Sequence, residues 1–281
     1  MQKLNRKNRG VSTTLPIKII QFGEGNFLRA FVEYAFQTLN NEVGFNGGIA
    51  VVQPIDRGMV SMLNDQDGLY TLFTKGIKNS KEVEEKELIT NIVKGIDPYI
   101  DYDAYLNLAN EEELEFIVSN TTEAGISFVA SDTMEMVPPS SFPAKLTRLL
   151  FERFSHFNGA KDKGLTIIPC ELINYNSDTL KQIILDYVSL WKLSVGFKTW
   201  ILDSCSFHNT LVDRIVPGYP RDQIEGHNKQ LEYQDNLIVS AETFFLWVIE
   251  GDAALKEKSS FHNNLDKKNA SVGKAVSLVF R

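Results

Sequence analysis

The chain has 281 residues, 43% of them hydrophobic, enough for a large core arranged as one big domain or two of ordinary size. Its net charge of −7, with basic residues scattered rather than striped, argues against a nucleic-acid or anionic-membrane surface. Two cysteines, Cys170 and Cys205, are too few for a disulfide framework, and no stretch approaches the run of about 18 apolar residues that spans a bilayer, so the expectation is a soluble protein of the reducing cytoplasm.

The N-terminus, MQKLNRKNRGVSTTLP, starts basic but lacks the apolar run of a secretory signal. From Ile17 the sequence reads IKIIQF, a β-branched strand, then Gly23-Glu24-Gly25-Asn26, then Phe27, Ala30, Phe31, Tyr34 and Leu39 at helical spacing. Strand, glycine turn and helix in that order are what a dinucleotide pyrophosphate needs: Gly23 for the tight turn, Gly25 for close backbone approach, and helix-start amides near Asn26 and Phe27 for the anion. Leu28 stands where the third glycine of G-x-G-x-x-G belongs, leaving Ala30 as the nearest small residue for helix-against-strand packing. A Gly-x-Gly turn also serves as a plain tight connection, so this stretch alone leaves both readings open.

Gly48–Gln53 is a second buried strand and completes a βαβ unit. Asp56, just past it in Pro54-Ile55-Asp56-Arg57, is the candidate acceptor for the adenosine ribose; Gln53 is an alternative, and Asp56 reads equally as a turn residue paired to Arg57. Residues 69–100 break the rhythm: two strands joined by a Gly76–Lys81 turn, with the charged run 82–87 as a solvated face, suggest an inserted antiparallel hairpin. A short helix over Asp101–Asn110 precedes the strand Glu115–Ser119, which runs into Asn120-Thr121-Thr122-Glu123, small polar residues placed either to meet a cofactor or to cap a helix. Phe142–Phe157 is an amphipathic helix announced by Pro138-Pro139-Ser140-Ser141. Leu165–Ile168 is a strand, Ser177–Leu193 a helix, and Phe197–Leu202 reads as a further strand. The alternation predicts an α/β fold: a Rossmann-like, doubly wound, mostly parallel sheet carrying the antiparallel hairpin.

The segments FGEGNFLRA (22–30), VVQPIDRG (51–58), SNTTEAG (119–125), PCELINYN (169–176), FHNTLVDRIVPG (207–218) and ETFFLWVIEGD (242–252), in that order, resemble the polyol-specific long-chain dehydrogenases, the mannitol dehydrogenase family, and within it the branch that acts on sugar acids. The resemblance implies NAD-dependent hydride transfer at a secondary alcohol or ketone of a linear sugar acid or polyol, without a metal. By the same resemblance Gly23, Gly25, Asn26, Phe27 and Arg29 match the phosphate loop, Asp56 the acidic position after the second strand, and Asn120, Thr121, Thr122 and Glu123 the crevice. Asn209, Asp213 and Glu242 fall on the substrate side, with Asp213 the expected polar contact. Leu172 occupies a slot where the mannitol-type enzymes carry an asparagine that polarises the substrate oxygen, which weakens a mannitol-like reading.

Residues 1–252 are expected to form the NAD-binding domain, and 253–281 a divergent tail where the family's helical substrate domain begins. The family's Lys-x-x-x-Leu-Asn-x-x-His arrangement, whose lysine takes the hydroxyl proton, has no match here: Lys267, Lys268 and Lys274 lack the companion Asn-x-x-His, and His262 reads as surface. The expectation is a truncated or frameshifted product, with no catalytic residue of its own, that binds NADH with little turnover. Phe244, Phe245 and Trp247 are expected to be left exposed and prone to aggregation. A dinucleotide-binding module without chemistry is the alternative; the sugar and the oligomeric state are not encoded in these motifs.

Overall fold

The computed structural model describes residues 2–12, 15–78, 80–122, 124–251, 271–272 and 275–280. In chain order a short arm, β1 (Gln2–Lys3) and α1 (Arg6–Arg9), leads into β2 (Ile17–Phe22), then α2 (Asn26–Ala30), α3 (Val32–Val43), β3 (Gly48–Val52) and α4 (Val60–Asp65). Then come β4 (Tyr70–Lys78), β5 (Lys81–Ile89), β6 (Ile92–Ile96), α5 (Tyr102–Asn107), β7 (Phe116–Ser119), α6 (Phe142–His156) and β8 (Thr166–Pro169). The last part comprises α7 (Asn176–Leu190), α8 (Val195–Ser204), β9 (Ser206–Phe207), β10 (Thr210–Asp213), α9 (Ile224–Leu231), β11 (Tyr233–Gln234), β12 (Val239–Glu242), β13 (Leu246–Gly251), β14 (Ser271–Val272) and β15 (Ala275–Phe280).

Six strands pair in the order β6-β3-β2-β7-β8-β9, every pair parallel. Counted along the sheet this is the 3-2-1-4-5-6 order of a dinucleotide-binding fold, with the reversal between β2 and β7. β3 and β7 are buried throughout and β2 at all but Lys18, as expected of parallel strands covered on both faces, which explains their unbroken apolar runs. One face packs on α3 through Phe36 and Leu39, and on Phe31 just before it, and continues to Val239, Phe245 and Trp247; the other packs on α6, α7 and α8 through Leu146, Leu150, Ile184 and Trp200.

Three expectations are corrected. The segment 197–202 is helix, not strand: Phe197, Trp200 and Ile201 are its buried face at helical spacing, and Ser194 Oγ caps it by accepting from Phe197 N. In the hairpin, Gly76–Lys78 still belong to β4, Lys78 pairs with Lys81, and the charged run 82–87 is the second strand itself. β6 then leaves the hairpin for the parallel sheet, while β12 adds to β4 in parallel. Phe245 and Trp247 are buried, not exposed; their rings lie 4.3 and 5.4 Å from Phe31, and only Phe244 stays open to solvent.

β13 also pairs antiparallel with β10 and with β15. His262, Lys267, Lys268 and Lys274 lie outside the described residues. Among the described residues no helix is long and apolar enough to cross a membrane.

Candidate functional site

The site is built at the carboxyl ends of the parallel strands. Gly23 ends β2 with φ +115°, a conformation L side chains avoid, and a Cβ there would stand 2.8 Å from Leu28 Cδ1 and 3.1 Å from the Asn120 carbonyl oxygen. Leu28, buried, therefore does what the missing third glycine would otherwise leave to backbone contact: it fills the gap between helix and turn. Gly25 is different. Its φ of −67° suits any residue, and a Cβ would meet nothing within 4 Å. It stands at the start of α2, whose first amides have no intrahelical acceptor. Open space in front of a glycine at a helix start is a cradle that a side chain would fill, and it fits a pyrophosphate.

Two cavities flank this loop. On the β3/β6 side a pocket of ≈ 600 Å³ is lined by Gln53, Asp56, Arg57, Gly58, Asp97 and Asp101, among others. Asp56 is exposed, whereas Gln53 is buried with its amide nitrogen held: Nε2 donates to the Ile55 carbonyl and to Asp97 Oδ2, both at 3.0 Å. Of the two ribose candidates, Asp56 is thus the one that faces solvent in the pocket, and Asp97, fixed by Gln53 and by Tyr99 N, is a second acid that the sequence did not single out. Glu24 turns toward this side, accepting from Met59 N at 3.2 Å; burial pushes its pKa up, opposed by that amide.

Across the switch point a cleft of ≈ 470 Å³ is lined by Phe27, Asn120, Thr122, Leu172, Val212, Asp213 and Arg214. Of the predicted residues, Phe27 of the loop, Asn120 and Thr122 of the crevice and Asp213 of the substrate side therefore meet in one cleft. Asn120 Nδ2 donates to the Cys170 carbonyl at 2.7 Å, which ties the ends of β7 and β8 together. Thr121 faces away from the cleft: its N–H and hydroxyl both donate to Glu171 Oε1, while Ser119 Oγ donates to Oε2. Glu171, buried, is the brace of this turn; burial pushes its carboxyl up and those donors pull it back. Glu123 lies outside the described residues. Thr122 takes φ +75° and Leu172 is exposed at the cleft edge.

Three predicted side chains do other work. Arg29 is buried beneath the loop, donating to the Leu237 carbonyl and to Asn26 Oδ1 and stacking over Tyr70, so its guanidinium holds the loop from below rather than facing the cleft. Asn209 caps α7: its Oδ1 accepts from Ser177 N and Asp178 N. Glu242 accepts from Ile215 N, and its carbonyl from Arg214 Nε. Arg214 also reaches the Ala30 carbonyl and stacks 4.7 Å from the Tyr34 ring centroid, fastening β10, and with it Asp213, to the end of α2. Neither Lys nor His is among the described residues lining the cleft. Among the described residues no group of three or more His, Cys, Asp or Glu side chains is placed to hold a metal ion.

The Mannitol dehydrogenase Rossmann domain family matches residues 17–262. The chain belongs to the mannitol dehydrogenase family. Curated family relatives named altronate oxidoreductase include that of Bacillus subtilis (strain 168), 50% identical over 251 residues, covering 89% of this chain and 52% of that one. Another, from Yersinia enterocolitica, is 47% identical over 273 residues, covering 97% and 56%. The chain spans about half the length of these relatives. Among solved structures, Pseudomonas fluorescens mannitol 2-dehydrogenase, in a ternary complex with NAD and D-mannitol, superposes with a TM-score of 0.74 at 22% identity, over 89% of this chain and 55% of that one. A substrate-free D-sorbitol dehydrogenase superposes at 0.71. At such identity the likeness speaks for the fold, a Rossmann-type domain shared across the family.

Proposed function

We propose that this chain is the NAD(H)-binding half of an altronate oxidoreductase, which interconverts tagaturonate and altronate by hydride transfer in the cytoplasm. The observation that carries the reading is the empty cradle in front of Gly25, set at the β2/β7 switch point between the two cavities. The substrate assignment is supported by the identity to relatives of that name, and by Leu172 on the cleft edge, where the family resemblance implies an asparagine in the mannitol-type enzymes. When bound, the nicotinamide would supply or accept the hydride. The chain's own residues would position the reactants: the Gly23–Phe27 backbone would hold the pyrophosphate, Asp56 the adenosine ribose, and Asn120 and Asp213 would offer polar atoms to the carboxamide or the sugar acid.

Oxidising an alcohol requires its proton to leave, and no lysine or histidine lines the described cleft. The proton acceptor in this reading comes from outside residues 1–281, in the part of the relatives' length that the chain does not span. The test is a pair of measurements: a fluorescence titration of the 281-residue chain with NADH, and steady-state turnover with tagaturonate by that chain and by a version extended with the second half of the Bacillus subtilis relative. Saturable NADH binding, with turnover confined to the extended version, is expected. Failure to bind NADH would overturn the reading, and equal turnover by both would place the proton acceptor within the chain.

A further inference from the structure

The hydrogen bonds beneath the phosphate loop cannot all be made by an ionised Glu33. Tyr70 Oη lies 2.6 Å from the Arg29 carbonyl oxygen and 2.6 Å from Glu33 Oε2. A phenol has one hydrogen, and a carbonyl can only accept. With Glu33 ionised, one of these two contacts would press bare oxygens together well inside hydrogen-bond distance. Both close if Glu33 Oε2 donates to Tyr70 Oη and Tyr70 Oη donates to the Arg29 carbonyl. The other carboxyl oxygen, Oε1, accepts from Gln21 Nε2 at 2.6 Å, as the C=O of a neutral acid does.

We propose that Glu33 is a neutral carboxylic acid in the folded protein and that its proton keeps it from offsetting the buried Arg29 cation beneath the Gly23–Asn26 loop, where that cation favours an anionic ligand. The second half rests on the reading of that loop as a pyrophosphate site. Glu24 of the same loop also acts on Arg29, so a neutral Glu33 leaves the cation facing one carboxylate rather than two. Glu33 and Arg29 are 0% and 1% exposed, so neither charge is screened by water. The guanidinium's hydrogen bonds go to neutral acceptors, the Leu237 carbonyl and Asn26 Oδ1. Through Asn26 and the helix start, the positive charge sits under the open cradle.

Gln21 links the acid to the loop, because its Nε2 also donates to the Gly23 carbonyl at 2.9 Å. The groups facing Glu33 are Gln21 of β2, Arg29 of α2, Tyr70 of β4, and Asn91, which donates to the Glu33 backbone carbonyl; Asp235 and Arg214 act on Tyr70 from further off. Burial pushes the Glu33 carboxyl up, and the Gln21 hydrogen bond and the Arg29 charge pull it back. A carboxyl raised on folding gives stability that is complete below its unfolded pKa and is lost as pH rises through its folded one.

The experiment compares wild type with Glu33→Gln, which keeps an acceptor for Gln21 and a donor for Tyr70. The infrared difference spectrum at neutral pH should show the carbonyl band of a protonated carboxyl in wild type only. Thermal melts should show wild-type stability falling as pH rises from the ordinary carboxylate range up through the folded pKa of Glu33, a fall that the variant lacks. NADH affinity should fall in wild type, relative to the variant, as pH rises over the same range, by tenfold or more once Glu33 ionises. Absence of the carbonyl band, or a Glu33→Gln chain that does not fold, would overturn the neutral acid. A band with parallel NADH affinities at every pH would overturn the electrostatic half. Wild type that binds no NADH at all would sink the dinucleotide reading, while the infrared band still decides the proton.

Discussion

Gly25→Val separates the needs of the ligand from those of the fold. At Gly25 the backbone is at φ −67°, ψ 165°, the neighbouring space is empty for 4 Å around a Cβ, and the residue is exposed. Valine therefore strains nothing. It caps α2 less well than glycine, but it also reduces the freedom of the unfolded chain, and effects of opposite sign near ~0.5–1 kcal/mol each leave stability almost unchanged. A bound pyrophosphate would lose its close approach to the helix-start amides. One or two charge-assisted hydrogen bonds at ~1.5–3 kcal/mol each, partly replaced by water, put the loss at ~2–4 kcal/mol, or roughly 30- to 1,000-fold in NADH affinity. Gly23→Ala is the counterpart: at φ +115° with Leu28 Cδ1 at 2.8 Å, it should cost ~1–3 kcal/mol of stability. The assay is a fluorescence titration with NADH beside a thermal melt of each variant. Gly25→Val that binds NADH within twofold of wild type, with an unchanged melt, would refute the placement of the pyrophosphate.

NADPH should bind ~10- to 100-fold more weakly than NADH, since a 2′-phosphate meets Asp56 at ~1–3 kcal/mol of like-charge cost. Asp97 stands on the same pocket wall, so Asp56→Ala should recover only part of that gap and Asp56→Ala with Asp97→Asn most of it; equal wild-type affinities would count against both carboxylates. Lys145 is fully buried, its ammonium donating to Tyr99 Oη and to the Ser140 carbonyl, and burial pushes its pKa down to about 8. The folded chain then binds fewer protons than the unfolded one above pH 8, so this lysine costs stability in full below about 8, and ~2–3 kcal/mol returns as pH climbs toward its unfolded value. Chemical denaturation at stepped pH should show that rise in wild type and not in Lys145→Met; parallel pH profiles would refute it.

The parallel sheet was legible because its signals are local. Ile17–Phe22 and Gly48–Val52 are β-branched runs of strand length, and Gly23 marks the turn between a strand and a helix. The segment 197–202 was misread because Phe197, Trp200 and Ile201 fit a short apolar strand as well as a helix face, and Ser194 tips the balance only when read as a cap. Within the site, matching motifs brought Phe27, Asn120, Thr122 and Asp213 to one cleft, yet gave neighbourhood without direction: Asn209 and Glu242 satisfy backbone amides, and Thr121 turns to Glu171.

Arg29 and Glu33 illustrate a deeper obstacle. Four residues apart in a helical pattern, an arginine and a glutamate read as a solvated ion pair. Here the helix breaks at Phe31, whose φ −122° and ψ −74° lie outside the helical region, so the spacing no longer implies a shared turn. Both side chains go inward, and their partners, Leu237 and Tyr70, come from strands and loops distant in sequence. The charge of a buried acid depends on which atoms face it, and Tyr70 has one hydrogen to share between Glu33 and the Arg29 carbonyl, each 2.6 Å from its oxygen. In the proposed arrangement that third residue turns an apparent salt bridge into a neutral acid beside a buried cation.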